Sequence, residues 1–266
     1  MSTSYIERVK PPNRWQTYVR WLLGLVAFAV AVSWSAAGAE FNFQALSDGL
    51  PFMADFLQRA WPPNFQNLPR FVQPTIETIQ MSIIGTLLAA LLSLPLAFVG
   101  AFNITPHPAL AFVARGIFNV VRAIPDLAFA LLFVSAVGLG SFAGVMALSV
   151  TSIGMLGKLY TEAIENIDRG PIEAMEAVGA GRIQILMYAV VPQVLPVLVA
   201  HTLFRWEINM RAATVLGLVG AGGIGFHLLT SMRLFQYRDT SVILLVIIVL
   251  VVVLDQLSAR IRQRLV

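Results

Sequence analysis

Long apolar runs separated by short polar segments make up most of this chain. Residues 21–39, 78–114, 127–157 and 240–254 contain no aspartate, glutamate, lysine or arginine. An α-helix rises about 1.5 Å per residue, so about 20 apolar residues cross the hydrocarbon core of a bilayer. The pattern therefore predicts an all-α, polytopic membrane protein with about six transmembrane helices.

Polar interruptions and glycines set the predicted limits of these spans. The run 127–157 is too long for one span and slightly short for two, and Gly138-Leu139-Gly140 divides it. The predicted spans are about 21–39, 75–102, 118–137, 141–160, 190–216 and 240–257. From its start, the chain is predicted to have a cytoplasmic segment at 1–20, the first transmembrane helix at 21–39 and an aromatic-rich external interfacial segment at 40–73. A core domain at 74–258, with a cytoplasmic polar loop at 161–187, and a cytoplasmic basic tail at 259–266 follow.

Basic residues are concentrated at the two ends of the chain. Those that flank the first and last spans are Arg8, Lys10, Arg14, Arg20, Arg260, Arg262 and Arg264. Lysine and arginine are in excess at the cytoplasmic edges of spans, so both termini and the polar loop are predicted to be cytoplasmic. The small residues Ala37-Gly38-Ala39 leave a cleavable signal peptide as an alternative interpretation of the first run.

The composition supports a membrane protein over a soluble one. The chain is 58% hydrophobic and 12% charged, whereas soluble domains carry roughly 25% charged residues. Its net charge is +4, and its lysines and arginines are scattered along the chain next to apolar runs. This distribution favours a location at membrane edges over a nucleic acid partner. Cysteine is absent, and the three histidines have no metal-ligand spacing, so we expect no disulfide and no metal site.

The segment 173–192, EAMEAVGAGRIQILMYAVVP, is an amphipathic and partly charged segment between two apolar runs. It resembles the cytoplasmic EAA loop of bacterial ABC importer permeases, in which E-A-A, three residues, Gly, nine residues and I-x-L-P follow one another. Glu173, Ala174, Gly179 and Pro192 match that pattern, whereas Met175, Ala189 and Val191 depart from it.

The resemblance extends over roughly residues 70–260. The stretches RAIPDLAFALLFVSAVGLGSFAGVMALSV, GKLYTEAIENID and RWEINMRAATVLGLVGAGGIG are similar to the permease subunit of phosphonate-type ABC importers. The stretch from Arg205 to Gly217 points to phosphonate permeases rather than to the related methionine permeases. The resemblance implies a type I permease fold, a second copy of this chain, two cytoplasmic ATPase subunits and an external substrate-binding protein.

The polar loop is the predicted contact with the ATPase subunits. The coupling residues that we predict are Glu162, Glu165, Asp168, Glu173, Ala174, Glu176, Gly179 and Arg182. Gly179 permits a sharp turn after a short helix, and Pro192 suits the first turn of the next helix. The chain has no Walker A sequence, so ATP and Mg²⁺ are expected in the partner subunit and no cofactor is expected in this chain. An ordinary solvated loop is the alternative.

A charged belt in the predicted fifth span gives the second set of candidates. Glu207 and Arg211 are four residues apart and can pair, which leaves Arg205 without an obvious local partner. A charged side chain at the bilayer midplane costs about 2.5–3.5 kcal/mol on insertion scales, so such residues pair or face water. We expect Arg205, with Asn209 nearby, to attract an oxyanion in the translocation pathway. Interface snorkelling or a structural ion network is the alternative.

Two further groups are predicted near the pathway. Arg122 and Asp126 straddle Pro125, where a structural ion pair is the simpler reading; the resemblance places an Arg-x-x-Pro element near the pore. Gly220, Gly222 and Gly225 match G-x-G-x-x-G, but no βαβ unit surrounds them. We expect Gly220, Gly222 and Gly223 to form a non-helical turn that lines a cavity, with close packing as an equal alternative.

These residues together predict the membrane-spanning subunit of an ATP-driven importer. Its substrate would be phosphonate or a related phosphorus oxyanion such as phosphate or phosphite, delivered by an external binding protein. A permease of the same class for another small solute such as methionine remains an alternative, and a membrane-embedded hydrolase or a passive channel is a weaker one.

Overall fold

The computed structural model describes residues 14–263, and every regular element in that range is helical. The basic residues Arg8, Lys10 and Arg264 lie outside it. The helices are α1 (Arg14–Gly38), α2 (Phe43–Ala60), α3 (Leu68–Gly100), α4 (Pro108–Ala123), α5 (Asp126–Val137), α6 (Ser141–Glu165), α7 (Gly170–Ala177), α8 (Arg182–Ile185), α9 (Val191–Gly217), α10 (Gly223–Arg233) and α11 (Tyr237–Arg262). A π-helical segment, Leu186–Val190, joins α8 to α9. The predicted all-α fold is confirmed.

The number of membrane spans agrees with the prediction. Helices α1, α3, α6, α9 and α11 are each long and apolar enough to cross a bilayer. Helices α4 and α5 meet at a bend of 87° and count as a sixth if the bent pair is one span. The turn at 138–140 and the position of the polar loop are as predicted, although α6 continues to Glu165 and so includes the first residues of that loop.

Two predicted boundaries differ from the structure. The segment 40–73 contains the helix α2, and α3 begins at Leu68 rather than near residue 75. The third span begins at Pro108 rather than at residue 118, and it breaks between Ala123 and Asp126. Pro125 causes this break, because its ring disfavours helical geometry at Ile124, which is extended at φ −93° and ψ 126°.

The chain divides into two compact units. The first, up to Leu57, contains α1 and most of α2. The second, from Gln58, contains the remaining helices. In the second unit α6 lies centrally and packs against α3, α4, α5 and α9. All candidate functional residues belong to this second unit.

Two clusters of turns mark opposite ends of the second unit. At the polar-loop end, Asn103 Nδ2 donates a 2.8 Å hydrogen bond to the carbonyl of Ile164 and so ties the α3–α4 turn to the end of α6. At the other end, the Gly140 N–H donates to the carbonyl of Gly220 at 3.0 Å. These bonds fix the ends of α3, α6 and α9 in the register that positions the side chains described below.

Glycines allow unusually close helix contacts in this unit. A Cβ at Gly157 would overlap the ring of Phe118, so α4 lies directly on α6. A Cβ at Gly225 would overlap the carbonyl oxygen of Thr214, so the start of α10 lies against the end of α9. Small residues at such positions let membrane helices approach closely, and packing of this kind contributes much of their association.

Substituting Gly225 by alanine should destabilise the protein. The overlapping atom belongs to the backbone of Thr214, which cannot rotate away as a side chain would. Overpacking of this kind costs about 1–3 kcal/mol. Thermal unfolding in detergent, followed by size-exclusion chromatography, should occur at a lower temperature than in the unmodified protein. Gly116→Ala is the matched control, since no atom of residues 14–263 lies within 4 Å of a Cβ at that position. Equal melting of both variants would contradict the proposed clash.

Candidate functional site

A buried polar cluster joins α9 to α6 and α3 in the middle of the bundle. Arg205 is only 6% exposed, and its guanidinium group has no carboxylate within ion-pair distance in the described chain. Instead, Nε donates to Ser152 Oγ at 2.8 Å, Nη2 to Thr151 Oγ1 at 3.3 Å and Nη1 to Met155 Sδ at 3.2 Å. The sequence indicated no local partner for Arg205, and the partners that the structure gives it are neutral atoms on a different helix, α6.

Asn209 extends this cluster to α3. Its Nδ2 donates to Thr86 Oγ1 at 2.8 Å, and its Oδ1 accepts from Ser152 Oγ at 3.1 Å. Trp206 adds a second link to α3, because its Nε1 donates to Ser82 Oγ at 3.1 Å. A buried, positively charged guanidinium that is hydrogen bonded only to neutral atoms retains its attraction for an anion.

Glu207 and Arg211 form the predicted ion pair, at 3.3 Å. The pair belongs to a larger network, because Arg262 lies 3.1 Å from Glu207 and Asp255 lies 3.2 Å from Arg211. Two acids and two bases thus neutralise one another between α9 and α11. This balance explains why Arg205, rather than Arg211, is the cation in α9 without a carboxylate partner.

Arg122 and Asp126 are not paired with each other in the described chain, so the simpler structural reading is wrong. The break at Ile124-Pro125 separates them, since Arg122 lies in the last turn of α4 and Asp126 begins α5 in a new direction. Arg122 is exposed next to a break in a membrane span, where polar backbone is tolerated only against protein or a water-filled cavity.

The predicted glycine turn lies between α9 and α10. Gly220, Gly222 and Gly223 all have positive φ values, 88°, 81° and 71°. A Cβ at Gly222 would come within 2.7 Å of the Ser141 backbone nitrogen, and one at Gly223 within 2.5 Å of Thr78 Oγ1. Thr78 also accepts a hydrogen bond from the N–H of Ile224 at 2.8 Å. These contacts agree with the packing alternative for the turn.

The polar loop presents a short helix to solvent. Helix α7 has eight residues, and none of them is buried. Gly179 ends it with φ +78°, its N–H bonds the carbonyl of Glu176 at 2.9 Å, and the Ala180 N–H bonds that of Met175 at 3.0 Å. A left-handed residue after a helix is the usual place of glycine, so the predicted sharp turn is confirmed.

Apolar side chains beyond α7 are exposed as well. Val178 and Ile183 are each 78% exposed, Tyr188 is 73% and Met187 is 55%. Glu173, Ala174, Glu176 and Arg182 are also exposed on this loop. A mixed surface of exposed apolar and charged side chains is typical of a protein–protein contact.

The ends of the polar loop are fixed to two membrane helices. Gln193, in the first turn of α9, accepts from the Asp168 N–H at 3.0 Å and donates to the Asp168 carbonyl at 3.3 Å. Glu165, the last residue of α6, accepts hydrogen bonds from Arg115 and from the N–H of Phe102. Motion of α7 is therefore connected to both α6 and α9.

Three predicted coupling residues have inward or local contacts instead of free carboxylates. Glu165 faces Arg115, Glu162 pairs with Lys158 at 3.6 Å, and Asp168 Oδ1 accepts from the N–H of Gly170 at 3.0 Å. The last of these contacts orders the start of α7. The side chain of Glu165 in particular is only 26% exposed and faces Arg115 of α4.

Three residues of this arrangement were not predicted from the sequence: Arg115, Gln193 and Ser152. Arg115 carried a signal, because it is the first charged residue after Glu77 and lies at the edge of a span. Gln193 and Ser152 carried none, since single glutamines and serines are common in membrane helices. In residues 14–263, no group of three histidine, aspartate or glutamate side chains is arranged to hold a metal ion.

Comparisons with known proteins agree with this arrangement. The family described as "Binding-protein-dependent transport system inner membrane component" matches residues 91–266. The phosphite transport system permease protein PtxC of Stutzerimonas stutzeri is 46% identical over 218 residues, which are 82% of this chain and 79% of that protein. The phosphate-import permease protein PhnE of Mycolicibacterium smegmatis is 45% identical over 229 residues, 86% of this chain but only 43% of that longer protein.

More distant similarities concern methionine transporters. The probable D-methionine transport system permease protein MetI of Haemophilus influenzae is 27% identical over 192 residues, 68% of this chain and 90% of that protein. In an inward-facing structure of the MetNI methionine ABC transporter, one chain matches with a TM-score of 0.66 and 21% identity, covering 76% of this chain and 99% of that one. The latter similarity concerns the fold.

Proposed function

The chain belongs to the family of binding-protein-dependent transport system inner membrane components, and on that premise we propose that it forms the translocation pathway of a phosphonate-type ABC importer. It is a multi-pass inner membrane protein and a transport subunit rather than an enzyme. Its substrate is a phosphorus oxyanion, such as phosphonate, phosphite or phosphate. The higher identity to phosphite and phosphate permeases than to methionine permeases supports this class of substrate.

One observation carries the proposal: an exposed helix, α7, is held at both ends of its loop by membrane helices. The Asp168–Gln193 bonds tie the start of its loop to α9, and Glu165, the last residue of α6, is held in turn by Arg115 of α4 and by the N–H of Phe102. A separate ATPase subunit that grips Glu173, Glu176 and the apolar side chains beyond Gly179 then moves both helices together. The polar loop and both termini accordingly face the cytoplasm, where ATP is available.

The translocation pathway passes Arg205 and the break between α4 and α5. Arg205 supplies the positive charge, and Ser152 accepts a hydrogen bond from it and donates one to Asn209. Arg122 and Asp126 lie on either side of the break between α4 and α5. A second copy of this chain completes the pathway, an external binding protein delivers the anion, and two ATPase subunits bind ATP and Mg²⁺. Hydrolysis then returns the pathway to its inward-open state.

Reconstitution tests this proposal directly. The chain, co-expressed with its ATPase subunit and incorporated into proteoliposomes with the binding protein outside and ATP inside, should take up phosphite, phosphate or methylphosphonate only when ATP is present. Uptake should require the ATPase subunit, because the energy comes from that partner. ATP-dependent uptake of methionine alone would favour the other permease class. Flux without ATP would favour a channel, and turnover by the purified chain would favour a hydrolase.

A further inference from the structure

Arg115 and Glu165 stand at the centre of a cluster that joins three helix ends beside the polar loop. We call it the cytoplasmic clamp: Arg115, Glu165, Phe102 and the carbonyl of Gly100. Arg115 Nε donates to the Gly100 carbonyl at 2.9 Å, and its Nη2 contacts Glu165 Oε1. The same oxygen of Glu165 accepts from the Phe102 N–H at 2.8 Å. The guanidinium carbon of Arg115 lies 4.3 Å from the centre of the Phe102 ring.

Each contact of the clamp restricts the movement of a helix or a helix end. Gly100 is the last residue of α3, and its carbonyl has no partner within its own helix. Glu165 is the last residue of α6, and Arg115 lies in the middle of α4. The side chains of Arg115 and Glu165 are 33% and 26% exposed, so water screens this charged pair only in part. The clamp therefore fixes α3, α4 and α6 as one block.

The position of the clamp in the chain suggests its purpose. Only the residues 166–169 separate Glu165 from α7, the helix proposed to receive the movement of the ATPase subunit. Arg115 lies seven residues before Arg122, which is two turns of the same helix, so both side chains are on one face of α4. Helix α4 thus connects the start of the polar loop with the break at Ile124-Pro125.

Helix α4 transmits rather than absorbs such a movement. Phe118, between Arg115 and Arg122, is 1% exposed and lies on Gly157 of α6, while the Cγ of Arg122 lies near Gly154. Close packing along this length leaves α4 no room to slide relative to α6. At its far end the helix stops at Ala123, just before Pro125, and α5 continues at 87° to it.

We propose that the cytoplasmic clamp is a positioning device that carries movement of α7 through α4 to the break at Ile124-Pro125. This inference rests on the proposed function of the chain in ATP-driven import. Without the clamp, the last turns of α6 beyond Gly157 and the connection 166–169 can follow α7 without moving α4, and the break beside Arg122 and Asp126 stays in place. ATP is then hydrolysed without opening the pathway.

The test is the number of ATP molecules hydrolysed per phosphite ion taken up by the complete complex in proteoliposomes. In Arg115→Ala and Glu165→Ala this ratio should rise at least ~3-fold, because each variant removes a charge-assisted contact. The double variant should be no worse than either single one, because both remove the same link. Arg115→Lys and Glu165→Gln keep part of the contact and should give intermediate ratios.

The controls separate coupling from folding and from the proposed function itself. Lys158→Gln removes an exposed cation from α6 nearby and should leave the ratio unchanged. If the alanine variants do not assemble, the test is made with Arg115→Lys and Glu165→Gln. A normal ratio of ATP hydrolysed to phosphite taken up in assembled clamp variants would overturn the inference. Additive effects in the double variant would also overturn it. Absence of ATP-driven phosphite, phosphate or methylphosphonate uptake by the unmodified complex would instead refute the proposed function.

Discussion

Replacement of Arg205 by glutamine should lower oxyanion uptake about 10- to 100-fold, since a hydrogen bond to a charged group contributes roughly 1.5–3 kcal/mol. The guanidinium is buried and bonded to neutral atoms on α6, so an oxyanion in the pathway can replace Thr151 and Met155 as its partners. Uptake of phosphite into proteoliposomes and assembly with the ATPase subunit should be measured together. Arg205→Lys keeps the charge but loses the forked donor geometry, so its phosphite uptake should lie between that of Arg205→Gln and that of the unmodified chain.

Arg260→Gln is the control for loss of a cation, because Arg260 is exposed near the end of α11. Ser152→Asp gives a sharper comparison, since it would place a carboxylate 2.8 Å or so from Arg205 Nε, where Ser152 Oγ now accepts. This built-in counterion should abolish uptake while preserving assembly, whereas Ser152→Ala should retain most of it. Undiminished uptake in Arg205→Gln refutes an anion role, and loss of assembly in that variant indicates a structural role instead.

Replacement of Gly179 by tryptophan should abolish coupled transport. Gly179 has φ +78°, and none of the residues that the structure describes lies within 4 Å of a Cβ placed there, so the bulky side chain projects into the space proposed for the ATPase subunit. The left-handed conformation adds a penalty of roughly 1–2 kcal/mol for most residues. Co-purification of the ATPase subunit should fall, and phosphite-dependent ATP hydrolysis should fall with it, while the chain itself remains folded in detergent.

Asparagine and alanine at position 179 separate the effect of side-chain bulk from the effect of backbone strain. Asparagine tolerates the left-handed conformation and is small, so Gly179→Asn should couple nearly as well as the unmodified chain. Gly179→Ala retains the strain without the bulk and should be impaired moderately. Transport by Gly179→Trp at the level of Gly179→Asn would mean that no partner is seated at this turn.

Most of the fold follows from the distribution of apolar residues along the chain. A bilayer tolerates only segments whose backbone groups are satisfied internally, so long uncharged runs predict helices and their approximate number. The boundary at α3 was misjudged because Arg70 interrupts the apolar pattern although the helix continues through it. The bend of 87° between α4 and α5 was not predicted, because residues 118–137 were predicted as one continuous span containing Pro125.

The candidate site was predictable only in part. Local motifs identified Gly179, the Glu207–Arg211 pair and Arg205, because each depends on spacing within one helix. The partners of Arg205 lie 50 to 54 residues away on α6, and those of Asn209 include Thr86 on α3. No periodicity within a single segment specifies which of several serines and threonines will face a given arginine.

The sequence by itself determined the membrane class, the approximate spans, and the exposed loop that resembles an ATPase contact, because burial in lipid and helix termination are governed by local composition. Tertiary structure alone decided that Glu165 turns inward to Arg115, that Arg122 and Asp126 are separate, and that Arg205 has neutral partners. Those outcomes depend on which helix faces pack together, and close contacts at glycines such as Gly154 and Gly157 fix that choice. Packing between distant segments, rather than local preference, therefore sets the charge environment of the proposed pathway.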